Sequence, residues 1–215
     1  MSTVLAVAAA SSLPPFGLSR IVTEWGMDPF LTIVTVWVAG AYLVGVRALH
    51  RRGDRWPWPR TVSFVVLGMG IFYVATSSGL AAYDTTLLSV HMVQHMVLSM
   101  IVPLALALGA PVTLALRTLP QRPRRALLAV LHSRPARLLT FPPLTFLLFV
   151  LSPWVLYFTG WYDASLQHPY VHEMTHVHLV LIGSLFLWPL LGVDPMQLAD
   201  AVVRLLRERV PATRS

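Results

Sequence analysis

The sequence predicts an all-α, polytopic transmembrane helix bundle of about five spans, with the N-terminus outside the cytoplasm and the C-terminus inside. Three observations carry that expectation. Hydrophobic residues make up 56% of the 215 residues and charged ones only 12%, whereas soluble domains carry about 25% charged residues. Apolar stretches of the roughly 20 residues that a helix needs to cross a bilayer recur five times along the chain. All 16 basic residues are arginine, and they gather in alternate connections between the apolar stretches.

The expected spans cover residues 29–49, 61–80, 86–108, 138–160 and 168–192. The last three contain Pro103, Pro153 and Pro189, which membrane helices tolerate as kinks because neighbouring groups satisfy the freed carbonyls. Residues 1–27 form an extracytoplasmic segment, residues 28–193 the bundle, and residues 194–215 a cytoplasmic tail. In the tail, Leu198, Val202, Leu205 and Leu206 fall on one stripe, so it is amphipathic. Residues 126–133, set among arginines and prolines, have the same character, and both suit helices lying in the headgroup layer. The opening "MSTVLAVAAASSL" has no positive residue before its apolar run, which favours a disordered or surface-lying N-terminus over a cleaved signal.

Orientation follows from the arginines, since short loops rich in Arg stay in the cytoplasm. The first connection holds Arg47, Arg51, Arg52, Arg55 and Arg60; the third holds Arg117, Arg122, Arg124, Arg125, Arg134 and Arg137; the tail holds Arg204, Arg207, Arg209 and Arg214. Arg20 alone falls on the other side, near Glu24, Asp28, Asp84, Asp163 and Glu173. With no basic soluble domain and no aromatic-basic motif, this charge is not a nucleic-acid signal. The absence of cysteine removes disulfides, thiolate metal sites and thiol nucleophiles. Metal chemistry would have to use His, Met, Asp or Glu.

Of the eight histidines, His50 and His132 lie among the arginines and read as solvated. His91 and His95 open the third span in "LLSVHMVQHMVLSM", while His168, His172, His176 and His178 open the fifth. At 3.6 residues per turn an i, i+4 pair shares one face, so His91 with His95 and His172 with His176 form two matched pairs at similar depth. Ionisable groups inside spans are costly and mark function more often than packing. If the two faces meet, up to four imidazoles surround one point, which suits a metal ion or a haem. Met92, Met96 and Met100 follow at i, i+4 spacing and Met174 sits in the fifth-span motif. Thioethers favour Cu(I), although a methionine stripe is also ordinary packing. Tyr83, Asp84 and Asp163 could guide cations from the outer loops, but read more simply as solvated loop residues.

"VHEMTHVHL" also spells H-E-x-x-H through His172, Glu173 and His176, the zinc-protease signature. A protease needs a third protein ligand and a water position; no separate Asp-Gly motif supplies the ligand, and peptide hydrolysis has no use for a second histidine pair. A b-type haem held by one histidine from each helix is the other alternative.

The segments "AYLVGVRALHRRGDRWPWPR", "HMVQHMVLSMIVPLALALGAPV" and "HEMTHVHLVLIGSLFLWPLLGVDP" resemble the CtaG family of multispanning bacterial cytochrome c oxidase assembly factors. Members of that family also occur fused to CopD-like copper-transport domains, and it is unrelated to the single-span copper chaperone that shares its name. The resemblance covers roughly residues 25–196. His91 and His95 match the family's first histidine pair, and His172 and His176 its second; His168 and His178 have no assigned counterpart. The resemblance implies a non-enzymatic chaperone of the bacterial cell membrane that handles copper and meets oxidase subunits or a copper donor. It implies the four paired histidines as metal ligands, and an oligomer is compatible with it; Met92, Met96, His168 and His178 stay secondary candidates on residue type and position alone. Family members continue past "GVDP" with about two further spans, whereas this chain has an arginine-rich tail there, so a natural short form or a truncated one is expected.

Overall fold

The computed structural model describes residues 25–26, 28–83 and 87–191, and helices dominate them. The expected N-terminal segment (apart from Trp25 and Gly26), Asp84, and the tail from residue 192 onward lie outside the described residues.

Helix α1, Pro29–Arg51, starts where the Asp28 side chain accepts a hydrogen bond from the Leu31 N–H at 2.9 Å and Pro29 supplies a pre-set φ. It stops at Arg52, after which Gly53 turns the chain at φ 79°. Helix α2, Trp58–Ser77, carries a π-helical stretch at Ser63–Gly70 and ends at the extended Ser78. There Trp25 bridges back to Ser78, and the Gly26 N–H donates to the Ser77 carbonyl. A short α3, Gly79–Tyr83, leads to α4, residues 88–108, which holds a second π-helical stretch at Val97–Ile101. Ala110, left-handed at φ 47°, then redirects the chain into α5, Pro111–Thr118.

Helices α6, Gln121–Leu131, and α7, Arg134–Leu139, bury no residue. Helix α8, Pro142–Phe158, meets α9, Trp161–Gln167, at a 63° bend, and α10, Pro169–Leu191, closes the described chain. Among the described residues four helices are long and apolar enough to cross a membrane, or five if the bent α8–α9 pair is one span. The expected second and fifth spans lie within a few residues of helices found here; the third apolar helix runs on to Thr118 through α5, and α8 starts at Pro142 because Phe141 is extended and α7 turns at Thr140.

Contacts place the long helices in the order α1, α2, α4, α10, α8, with α4 packed between α2 and α10. Large apolar side chains such as Val36, Trp37, Val66, Phe146, Trp154 and Leu181 are exposed on the outside, as lipid-facing positions require. At the arginine end, Tyr42 stacks on Phe64 with ring centroids 4.1 Å apart and donates to the Gly109 carbonyl at 2.8 Å. Trp56 donates to the Tyr42 hydroxyl, and the guanidiniums of Arg60 and Arg117 both lie over its ring, 5.2 and 5.8 Å from the centroid. Arg52 caps the end of α5 through the Arg117 and Thr118 carbonyls. These contacts lock one end of the bundle and leave the opposite end, where α4 and α10 begin, to the histidines.

Candidate metal centre

Helix α4 is held on one side by α2 and on the other by α10 through an apolar core that joins Leu98, Val102 and Leu106 to Phe64, Met69 and Leu179, and two polar and steric details fix its position within that core. Gln94, fully buried, donates from Nε2 to the Ala75 carbonyl at 2.8 Å. Ala75 lies in the last turn of α2, where the helix has no following N–H to offer its carbonyls. On the other side Gly183 of α10 meets the backbone of α4: a Cβ there would run into the Ser99 carbonyl and reach within 2.8 Å of the Pro103 ring. Trp188 donates to the Pro103 carbonyl at 3.2 Å. A small residue thus lets the two backbones touch, a common device where lipid removes the hydrophobic drive between helices.

This approach brings the two histidine pairs face to face. Along the helices the ring centroids of His91 and His95 are 4.0 Å apart, and those of His172 and His176 are 4.6 Å apart. Across the helices His91 stands 6.3 Å from His172, and His95 6.4 Å from His176. His91, His95 and His176 are buried, while His172 is half-buried toward the end of the bundle. His95 Nε2 and both ring nitrogens of His176 are buried without a hydrogen-bond partner, which is costly unless another group fills the space between them.

Helices α8 and α9 cover the box. The Tyr157 hydroxyl lies 3.4 Å from His95 Nδ1 and 3.5 Å from the Met92 sulfur, and Tyr162 presents its ring edge-on to His91 at 5.7 Å. The bend between α8 and α9 lets both tyrosines reach the site, and Trp161 pins α9 to α10 by donating to Thr175 Oγ1 at 3.0 Å.

The other candidates fall elsewhere. Met96 is 64% exposed and joins Met100 in an apolar groove with Val93, Ile101, Leu104 and Leu187; Met92, also exposed, is the one methionine of the stripe near the box. His168 is exposed beside Tyr170, and His178 bonds Ser152 at 2.9 Å under the Trp161 ring, on a different face of α10. His50 and His132 are exposed and Asp163 is a surface residue, as expected. Tyr83, expected to be solvated, is instead buried, because α3 folds it inward. The carboxyl of Glu173 interacts with that of Asp28 at the start of α1, a partner that the zinc-protease arrangement does not use. Replacing Glu173 by Gln keeps a hydrogen-bonding partner for Asp28. The expected outcome is unchanged fold and unchanged metal content by elemental analysis; loss of bound metal in this variant would return the carboxylate to the site.

An ion about 2.0–2.1 Å from a ring nitrogen lies about 3 Å from the ring centroid, so two imidazoles on opposite sides of one ion are roughly 6 Å apart. The cross-helix separations of 6.3 and 6.4 Å fit that spacing. Among the described residues no three of His, Asp and Glu are placed to share one ion as they stand; the box is two facing pairs. A flat macrocycle lying between one such pair would have to pass through the space held by the second pair, and by Ser99 where it meets Gly183.

The family profile of the cytochrome c oxidase caa3 assembly factors, Caa3_CtaG, matches residues 40–207. The chain belongs to this Caa3_CtaG family. All four box histidines fall inside the matched region. Among curated relatives, the uncharacterized protein Mb0105 of Mycobacterium bovis and the uncharacterized protein MT0111 of Mycobacterium tuberculosis are each 39% identical over 188 residues. The uncharacterized protein ML1998 of Mycobacterium leprae is 35% identical over the same length. Each match covers 84% of this chain and 28% of the relative, so the Caa3_CtaG chain spans under a third of the length of these proteins. No solved structure matches it.

Gln94, Gly183, Tyr157 and Tyr162 were not among the residues singled out from the sequence. An amide between two histidines in an apolar span was a visible signal for Gln94, and a small residue in "LIGSLF" for Gly183. Nothing in the spacing marks the tyrosines, since they reach the site only through the α8–α9 bend.

Proposed function

We propose that this Caa3_CtaG protein serves oxidase assembly by holding or passing copper near the extracytoplasmic face of the bacterial cell membrane, through His91, His95, His172 and His176. The observation that carries the reading is the buried box of four imidazoles from two helices, with ring nitrogens of His95 and His176 left without partners. Imidazole accepts copper in either oxidation state, and the membrane placement raises the cost of leaving such nitrogens empty. The box lies at the end of the bundle opposite the arginines, a position that supports an extracytoplasmic site because short arginine-rich loops stay in the cytoplasm. Copper is the cargo here and no turnover is required. Oxidase subunits or a copper donor are the partners that such a role needs, and the exposed apolar flanks of the bundle meet the lipid.

Zinc held for peptide hydrolysis is disfavoured by the engagement of Glu173 with Asp28, and haem b by the second histidine pair one helical turn away, 4.0 and 4.6 Å along the helices, which a macrocycle on the first pair would overlap. The test is copper loading of the purified protein and of a variant carrying His95→Ala with His172→Ala. The wild type should load copper and the variant should lose it while eluting as the same folded species. Normal loading of the variant would show that the ligands lie elsewhere.

A further inference from the structure

We propose that the four histidines form a two-rung ladder for Cu(I), His91 with His172 as the shallow rung and His95 with His176 as the deep one, with a single ion occupying one rung at a time. This rests on the copper reading above and specifies its oxidation state, coordination number and path.

The argument starts from the pattern of separations. The two cross-helix distances, 6.3 and 6.4 Å, are nearly equal, and both match two rings facing each other across one ion. No three of His, Asp and Glu converge on one point among the described residues, so the units the geometry offers are the two imidazole pairs that face each other across the helices. Zinc and Cu(II) demand four or more ligands, whereas Cu(I) is stable between two imidazoles in a line. The charge balance agrees. The carboxyl nearest in sequence, that of Glu173, interacts with Asp28, and among the described residues no other Asp or Glu joins the histidines in a group of three, so a monovalent ion is desolvated there at lower cost than a divalent one.

Simultaneous filling is opposed by the same geometry. Rings on one helix are only 4.0 and 4.6 Å apart, so ions on both rungs would repel at short range with no anion between them. A second, empty rung one helical turn away then serves as the next stop. The shallow rung includes the half-buried His172, and the deep rung pairs two buried rings, with the Tyr157 hydroxyl beside His95 Nδ1. Movement between rungs exchanges one pair of Cu–N bonds for another, with no change of oxidation state and no proton or electron to supply.

The ladder makes a prediction that a single four-histidine site does not. Double variants that remove one whole rung, His91→Ala with His172→Ala or His95→Ala with His176→Ala, leave the other rung intact. Double variants that cut across, His95→Ala with His172→Ala or His91→Ala with His176→Ala, break both rungs. All four remove two histidines, one from each helix, so a general loss of folding would not separate the two classes. Purified protein is loaded with Cu(I) anaerobically under a reductant, competed with a chromogenic Cu(I) chelator, and counted per chain, and the wild type is measured by X-ray absorption. The ladder predicts one copper per wild-type chain bound by two nitrogens, retention of one copper in both same-rung variants, and its loss in both cross-rung variants. Equal loss in all four, or four nitrogens around the wild-type copper, would overturn the ladder and leave one four-imidazole site. Two coppers per wild-type chain would overturn single occupancy. A wild type that takes up no Cu(I) would overturn the ladder and the copper reading together.

Discussion

Replacing Gly183 by Ala should destabilise the bundle and abolish copper loading together. The added methyl has nowhere to go: it meets the Ser99 carbonyl and carbon of α4 and the Pro103 ring, all backbone or backbone-linked atoms. Overpacking of this kind typically costs about 1–3 kcal/mol, and here relief requires α4 and α10 to move apart. The separations of 6.3 and 6.4 Å between facing imidazoles depend on that approach, so widening it removes the span that one ion can bridge. Thermal unfolding in detergent, paired with copper content, reads both effects. Gly40→Ala is the control, because nothing lies within 4 Å of a Cβ at that position of α1; it should be neutral, or stabilising by up to about 1 kcal/mol. A Gly183→Ala protein that unfolds and loads like the wild type would mean that the two helices do not touch there.

Gln94→Leu should lower stability by roughly 1–3 kcal/mol, the cost of leaving a buried polar group unpaired. The size and burial of the side chain are nearly preserved, but the Ala75 carbonyl at the end of α2 loses the N–H that reaches it at 2.8 Å. In a membrane interior no water replaces that bond. The same contact fixes the rotation of α4 between its neighbours, so copper affinity should fall with stability. Gln94→Glu should fare worse still, since a carboxylate repels the carbonyl where the amide donates to it. Melting temperatures of these two variants beside the wild type check the assignment, and an unchanged melting temperature for Gln94→Leu would contradict it.

Much of the bundle was legible because a bilayer reduces the problem to length, hydropathy and arginine placement. The long helices follow the predicted apolar stretches closely, with the Pro-bearing segments still helical. The pairing of His91 with His95 and of His172 with His176 was legible for the same reason, since helical periodicity alone puts each pair on one face. Whether the two faces meet was not, because helix order along the chain does not determine contacts in the plane of a membrane. That depended on Gly183 and Gln94, single residues whose roles appear only when α4 is seen between α2 and α10. The methionine stripe shows the opposite error: i, i+4 spacing joined Met96 and Met100 to the histidines, yet the helix turns them toward a lipid-facing groove. Nothing supports the H-E-x-x-H match either: its glutamate interacts with Asp28, which caps α1.

The most direct measurement is elemental analysis, with an absorbance spectrum, of the detergent-purified wild type beside a variant with His91, His95, His172 and His176 all replaced by alanine. Copper in the wild type, absent from the variant, with no Soret band in either, is the predicted result. Copper retained by the variant, or haem or stoichiometric zinc in the wild type, would contradict the account.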